Sequence, residues 1–264
     1  MVNVIIPAYN CSSTLGRTLG SLVAQTDAEF EVIVVDDCST EDIKPIVDDY
    51  SNKLSIRYIR NEHNLGCGMS RQVGIDNVSS KFFCFLDSDD ILMPYTIETF
   101  NSIIATNHDI DYVYGYFYKQ TTADGRPSLM LYKQGYTWCH GKLYNRDSID
   151  RYGIKNSPEI RWADDSYFNS MCSELFSQYL VPAPLYLWCD NPNSVTRRVD
   201  PERDKAMRKD FLLAMKMSTE FILQHKDRVE HLKGTIDNTQ HEYADALDAE
   251  EQMLLDELRK YIKE

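Results

Sequence analysis

Positive charge is scarce in this chain. Its 28 Lys and Arg stand against 41 Asp and Glu, a formal net charge of −13. Affinity for a phosphate backbone comes mostly from Lys and Arg, so a general duplex-binding role is disfavoured, although a local basic groove stays compatible with that balance. Long apolar runs are missing: none approaches the roughly 20 residues that span a bilayer. The start, Met1-Val2-Asn3-Val4-Ile5-Ile6-Pro7, has no basic n-region and runs straight into strand-like sequence, which reads as no signal peptide. Cysteine pairing is missing too. Cys11, Cys38, Cys67, Cys84, Cys139, Cys172 and Cys189 are scattered, odd in number and never spaced Cys-x-x-Cys. They read as reduced thiols, not as a disulfide framework or a zinc site. A cytoplasmic protein is expected, with peripheral membrane attachment left open. There is no internal repeat and no low-complexity tract. Glycine and proline almost vanish after Pro201, where Gly234 stands alone.

What is present suits one large α/β domain, or one domain with a helical appendage: 264 residues, 43% of them hydrophobic. Val2 to Ile6, Phe30 to Val35, Leu54 to Ile59 and Phe82 to Leu86 read as buried strands. Between them lie helices. The first has Ser12 or Ser13 as a cap and Leu15, Leu19, Leu22 and Val23 on one face. The second starts at Ser39 with Asp42 in its first turn and carries Ile43, Ile46 and Val47. The third follows the glycine-containing loop Asn64 to Gly68 and ends near Val78. Pro94 opens the fourth, with Ile97, Phe100, Ile103 and Ile104. This alternation predicts a mostly parallel central sheet flanked by helices on both faces. Beyond residue 110 the pattern changes to an aromatic strand Tyr112 to Lys119, a turn Thr121 to Pro127, a helix Asp164 to Phe176 and an extended Tyr179 to Trp188. From Pro201 onward the period is helical, with Leu247, Leu254, Leu258 and Ile262 on roughly one face of the last helix. Its apolar stripe packs on the preceding domain or forms a homodimer.

In such sheets ligands sit beyond the carboxyl ends of the strands, so Tyr9, Asp37 and Asp87 to Asp90 should share one crevice. Asp87-Ser88-Asp89-Asp90 follows a wholly apolar strand. Carboxylates this close repel and resist ionising together, and a divalent cation removes the conflict. Oxygen ligands suit Mg²⁺ or Mn²⁺. The plainer reading is a solvated turn with helix-capping aspartates.

Four segments come in order, each at a strand end or in the following loop: Ile5-Ile6-Pro7-Ala8-Tyr9-Asn10, Val34-Val35-Asp36-Asp37-Cys38-Ser39, Asn64-Leu65-Gly66 with Arg71, and Phe85-Leu86-Asp87-Ser88-Asp89-Asp90. The series resembles glycosyltransferase family 2, whose fold is GT-A. Gln25-Thr26 fits the same pattern. The resemblance covers residues 2 to 120 strongly and 135 to 198 more loosely. It implies a Rossmann-like catalytic domain at 1–199, with 1–120 for the nucleotide-sugar donor and 121–199 for the acceptor, plus a helical C-terminal extension at 200–264. Residue by residue, it implies that Pro7, Ala8 and Tyr9 line the base pocket and that Asp37 accepts from a base ring nitrogen, favouring uracil or thymine. Arg71 then approaches the diphosphate. Asp87, with Ser88, faces the ribose or donor sugar, while Asp89 holds Mn²⁺ or Mg²⁺ with Asp87. Asp90 is left a supporting or capping role.

Trp162-Ala163-Asp164-Asp165 resembles the family's acidic pair before a helix. It implies Asp165 as general base and Asp164 as a substrate contact; the plainer alternative is a helix N-terminal cap. His140 in His140-Gly141-Lys142 reads as a further metal ligand, a phosphate contact or a structural histidine. Trp138 reads as a sugar-stacking ring or a core tryptophan. Asn193 to Arg198 reads as a loop able to close over the donor. Cys38, where many relatives have glycine, and Gln72, where asparagine is frequent, depart from the pattern. The processive members' Gln-x-x-Arg-Trp motif is absent, so transfer of a single sugar is expected. The acceptor is a glycan, a lipid-linked saccharide or another hydroxyl, including a modified nucleic-acid base. Two rival functions are a nucleotidyltransferase that makes a nucleotide-sugar, which would need a glycine-rich basic loop that residues 6–10 lack, and a non-catalytic assembly protein working through its C-terminal helices.

Overall fold

The computed structural model describes residues 1–123, 126–133, 138–191, 200–230, 232–243 and 247–262. The loop 193–198 lies outside them. Four strands, β1 (Val2–Ala8), β2 (Phe30–Asp36), β3 (Ile56–Arg60) and β4 (Phe82–Phe85), form the parallel half of one sheet in the order β3-β2-β1-β4. Helices α1 (Leu15–Val23), α2 (Lys44–Tyr50) and α3 (Cys67–Asp76) make the crossovers. After the short β5 (Ile91–Leu92) and α4 (Thr96–Thr106), the other half is mixed. It contains β6 (Tyr112–Ala123), β7 (Arg126–Tyr132), β8 (Lys142–Asn145) and β9 (Gln178–Trp188), with α5 (Arg146–Tyr152) and α6 (Asp164–Leu175) between them. The order continues β4-β8-β6-β9-β5, with β7 paired to β6. Only β6–β9 is parallel there; β4–β8, β6–β8, β6–β7 and β5–β9 are antiparallel. The resulting curled α/β sheet, flanked by helices, has the expected GT-A architecture.

The period of two along β1 builds both faces of the core. Val4 and Ile6 meet α1 and α4 through Leu15, Leu19, Ile97 and Phe100. Ile5 points to the opposite face, where Phe83, Phe85, Ile75, Phe168 and Met171 gather. Gly74 lets α3 lie against β1: a Cβ there would stand 2.3 Å from Ile5 Cγ2. At the end of α1, Gln25 Nε2 donates to Met93 O at 2.9 Å and its Oε1 accepts from Ile97 N at 3.1 Å, joining α1 to α4.

Three helices follow β9: α7 (Pro201–Leu223), α8 (Leu232–Tyr243) and α9 (Ala249–Arg259). Ala214 and Ile222 of α7 belong to the core that contains Phe168 of α6. Leu212 and Met215 meet Leu232, Ile236, Leu255 and Leu258 of α8 and α9. Of the apolar stripe, Leu258 is buried in this cluster and Leu247, Leu254 and Ile262 pack partly buried against it; fully burying a large side chain contributes about 1.5–3 kcal/mol.

Some element ends differ from the sequence reading, because side chains found partners farther along the chain. Thr14, not Ser12 or Ser13, precedes α1, and its hydroxyl turns back to Cys11 O at 3.3 Å. The second helix starts at Lys44, with Pro45 in its first turn. Ser39 is drawn away to accept from Asn10 N at 3.0 Å. The turn expected over Thr121 to Pro127 is narrower: Thr121 pairs with Ser128 and Thr122 with Pro127 inside the β6–β7 hairpin. Pro127 is tolerated because β7 is an edge strand.

Candidate active site

The loops after β1 and β2 are locked together. Asn10 Oδ1 accepts from Thr40 N at 2.8 Å, and Asn10 itself has φ of 47°. Cys38 also takes the left-handed region, φ 59°, which explains why glycine suits this place. Pro7 and Ala8 are buried at the end of β1, whereas Tyr9, just after it, is 49% exposed. Asp37 is almost wholly buried. Its Oδ1 accepts from Leu65 N at 2.8 Å and Asn61 Nδ2 at 2.9 Å, and its Oδ2 from Gly66 N at 2.8 Å. The carboxylate thus shapes the loop leading into α3. With three donors bound, it retains about one of its roughly four lone-pair positions.

The acidic segment after β4 divides its labour. Asp87 Oδ1 accepts from Arg71 Nη2 at 2.6 Å. Burial alone would raise the Asp87 carboxyl, but Arg71 and His140 hold it well below the ordinary range. Ser88 lies within hydrogen-bonding reach of the Cys11 thiol. Asp89 Oδ2 accepts from Asn191 Nδ2 at 2.7 Å, and its carbonyl receives Arg17. Asp90 is 1% exposed and begins no helix, since β5 follows it. Its oxygens accept from Tyr186 OH at 2.7 Å and Cys189 N at 2.8 Å, tying the segment to β9. Burial, then Asp87 and Asp89, push the Asp90 carboxyl well upward.

His140 lies in an aromatic wall. Its ring centroid is 4.6 Å from Tyr186, 5.1 Å from Trp188 and 5.1 Å from Phe117, with Trp138 at 6.4 Å. Burial favours its neutral form. Nε2 stands 3.8 Å from Asp87 Oδ2 and 4.0 Å from Asp90 Oδ2, too far for hydrogen bonds. The three ligand atoms lie within 4.8 Å of one another. With ligand distances of about 2.1 Å, two ligands of one ion stand roughly 3–4.2 Å apart. The two His140 distances fall in that range, so the imidazole with either carboxylate fits a hard divalent cation.

Arg71 links this segment to α6. Its Nη1 binds Asp164 Oδ2 and its Nη2 binds Asp87, a buried guanidinium between two carboxylates. The approach of α3 to α6 requires Gly68, where a Cβ would meet Asp164 Cβ at 2.6 Å. Asp165 comes next in the chain. Burial and then Asp164 push its carboxyl up to about 7, against the opposing pull of Arg71 and Ser166 N. A carboxylate of that affinity takes up and releases a proton near neutrality.

The loop that presents Asp164 and Asp165 is held from α7. Asp210 accepts from Arg161 N at 3.1 Å, Trp162 N at 2.6 Å and Ala163 N at 2.9 Å. Sequence reasoning missed Asp210, whose only local signal is an acidic residue beside Phe211-Leu212-Leu213. It also missed the place of Asp90, Tyr186 and Asn191. Of the residues it named, the structure brings Asp87, Asp164 and Arg71 into direct contact, places His140 beside Asp87, and puts Trp138 in the aromatic wall.

Comparison with known proteins gives the family and agrees with the fold. Residues 3–160 match the model for glycosyl transferase family 2, more than half of the chain. The chain belongs to that family. An uncharacterized glycosyltransferase of Haemophilus influenzae is 39% identical over 114 residues, 43% of this chain and 38% of that protein. The uncharacterized glycosyltransferase EpsJ of Bacillus subtilis is 27% identical over 236 residues, covering 80% of this chain and 67% of its own. The match with the first of these spans well under half of that relative's length. The crystal structure of Staphylococcus aureus TarS 1–349 in complex with UDP superposes with a TM-score of 0.67 and 23% identity, over 95% of this chain and 76% of that one. Among the described residues no helix is long and apolar enough to cross a membrane.

Proposed function

We propose that the chain moves a single sugar from a UDP- or dTDP-sugar to an acceptor hydroxyl, with inversion at the anomeric carbon. The observation that carries this reading is the line Asp87–Arg71–Asp164, which ends at Asp165, a carboxyl whose affinity for protons lies near neutrality. The UDP complex of the TarS structure supports a uridine donor.

Pro7, Ala8 and Tyr9 form the wall of the base pocket, and the remaining lone pair of Asp37 meets the base ring N–H. Asp87 and Ser88 face the ribose and donor sugar, and Trp138 borders the sugar side. Asp87, Asp90 and His140 are the clustered residues that would hold Mn²⁺ or Mg²⁺, with Asp89, the ligand expected from the sequence, next in the chain and joining them only if it left Asn191; the ion would supply positive charge for the departing diphosphate. Arg71 adds a fixed guanidinium on the same side. Asp164 keeps that guanidinium in place. Asp165 accepts the proton of the acceptor hydroxyl as its oxygen bonds to the anomeric carbon. The bond from that carbon to the diphosphate breaks, and its electron pair leaves with the nucleotide. A glycan, a lipid-linked saccharide or another hydroxyl-bearing molecule serves as acceptor.

The test is a titration of purified protein with UDP-, dTDP- and GDP-sugars in the presence of Mn²⁺, followed by transfer assays. Uridine or thymidine donors should bind, and Asp89→Asn should remove the metal dependence of that binding. Asp165→Asn should keep donor binding and lose transfer. Failure of every nucleotide-sugar to bind, or full transfer by Asp165→Asn, sinks the reading.

A further inference from the structure

Asp165 also forms part of a second wall. A cavity of about 650 Å³ opens between the start of α6 and the C-terminal helices. This is within the roughly 300–1,000 Å³ typical of small-molecule sites. Trp162 and Asp165 line one side; Asp204 and Arg208 of α7, with Asn238 and Tyr243 of α8, line the other. Arg208 is braced from behind, its Nε 3.2 Å from the buried Glu251 carboxylate, and its guanidinium lies 5.5 Å from the Tyr243 ring centroid. The three amides accepted by Asp210 fix the α6 wall to α7, so the two walls form one built unit.

We infer that this cavity receives the acceptor, and that the part entering it is an uncharged, polyhydroxylated sugar ring. The inference rests on the proposed transfer reaction and its base. Two aromatic rings, Trp162 and Tyr243, offer the apolar faces against which a sugar ring packs. Carboxylate, amide and guanidinium groups around them offer the paired donors and acceptors that vicinal hydroxyls use. Asp204 and Glu242 set two carboxylates on the lining against the one guanidinium of Arg208, which Glu251 already pairs, a balance that repels phosphate. The hydroxyl nearest Asp165 then gives up its proton there and its oxygen forms the new glycosidic bond. The C-terminal helices become the acceptor-reading part of the enzyme.

The experiment uses the full chain with Mn²⁺. Calorimetric titration with UDP comes first; no binding overturns the transfer reading and this inference with it. With UDP bound, saturation-transfer NMR is recorded for methyl glucoside, methyl N-acetylglucosaminide and glucose 6-phosphate. The neutral glycosides should give signals, and the phosphate should give at least fivefold less. Asn238→Trp, which fills the cavity from α8, should reduce the neutral signals at least fivefold, with circular dichroism verifying its fold. Should that variant misfold, Asp204→Asn with Glu242→Gln replaces it and should raise the phosphate signal at least threefold. UDP binding together with equal glycoside signals in wild type and Asn238→Trp, no glycoside signal in either, or a preference for the phosphate, overturns the inference alone.

Discussion

Replacing Asp210 with alanine should loosen the loop ahead of Asp164 and Asp165 without touching either side chain. The carboxylate is 9% exposed and receives three consecutive backbone N–H groups just ahead of Asp164 and Asp165. Hydrogen bonds to a charged acceptor contribute about 1.5–3 kcal/mol each. Arg161 is exposed, so water can replace its bond, but Ala163 is buried and Trp162 half-buried. Two irreplaceable bonds put the loss at about 3–6 kcal/mol. At roughly 2–4 °C per kcal/mol for a chain of this size, Tm should fall by about 6–24 °C. Asp210→Asn keeps one acceptor oxygen and should lose about half as much. Transfer should fall at temperatures well below the new Tm, because Asp165 is no longer held, while the affinity for UDP stays within about threefold. Thermal melts by circular dichroism and calorimetric UDP titration measure both effects. A Tm shift under 2 °C with unchanged transfer would refute the idea that α7 supports this loop.

If Asp165 is the base, transfer should fall about tenfold per pH unit below its value of about 7 and level off above it; a pH–rate profile without that inflection speaks against the role. The same elevation acts on stability in the opposite sense. The folded chain keeps a proton that the unfolded chain releases, so this contribution is complete below about pH 4 and lost as pH rises through about 7, and Asp165→Asn should flatten that slope in urea titrations. Gly74→Ala sets a methyl 2.3 Å from Ile5 Cγ2, and overpacking of about 1–3 kcal/mol should outweigh a gain of about 1 kcal/mol in helix propensity; a raised Tm would contradict this. Cys38→Gly relieves a left-handed backbone worth about 1–2 kcal/mol and should stabilise the fold by about 0.5–1 kcal/mol in denaturant titration, an expectation that unchanged or lower stability rejects.

How much was legible beforehand depended on distance along the chain. The strands of the parallel half, the helices between them and the carboxylates at their ends all follow from periods of 2 and 3.6 and from loops that return each strand beside its neighbour. Ile5 against Val4 and Ile6 is such a case: the alternation alone assigns them to opposite faces. Motif order was equally local, and it carried the family. Helix starts were less legible, because Ser39 found Asn10, 29 residues away, as a better partner than its own helix.

The sequence by itself determined which aspartates stand at the carboxyl ends of the buried strands, since Asp37 and Asp87 directly follow apolar runs. The tertiary structure decided which of them meet. The order β4-β8-β6-β9-β5 brings His140 and Tyr186 to Asp90 across 50 and 96 residues, and α7 brings Asp210 to the loop before Asp164 across 47 to 49. Those encounters depend on strand order, register and helix packing. These are settled by burying apolar surface over the whole molecule, and no local pattern encodes them.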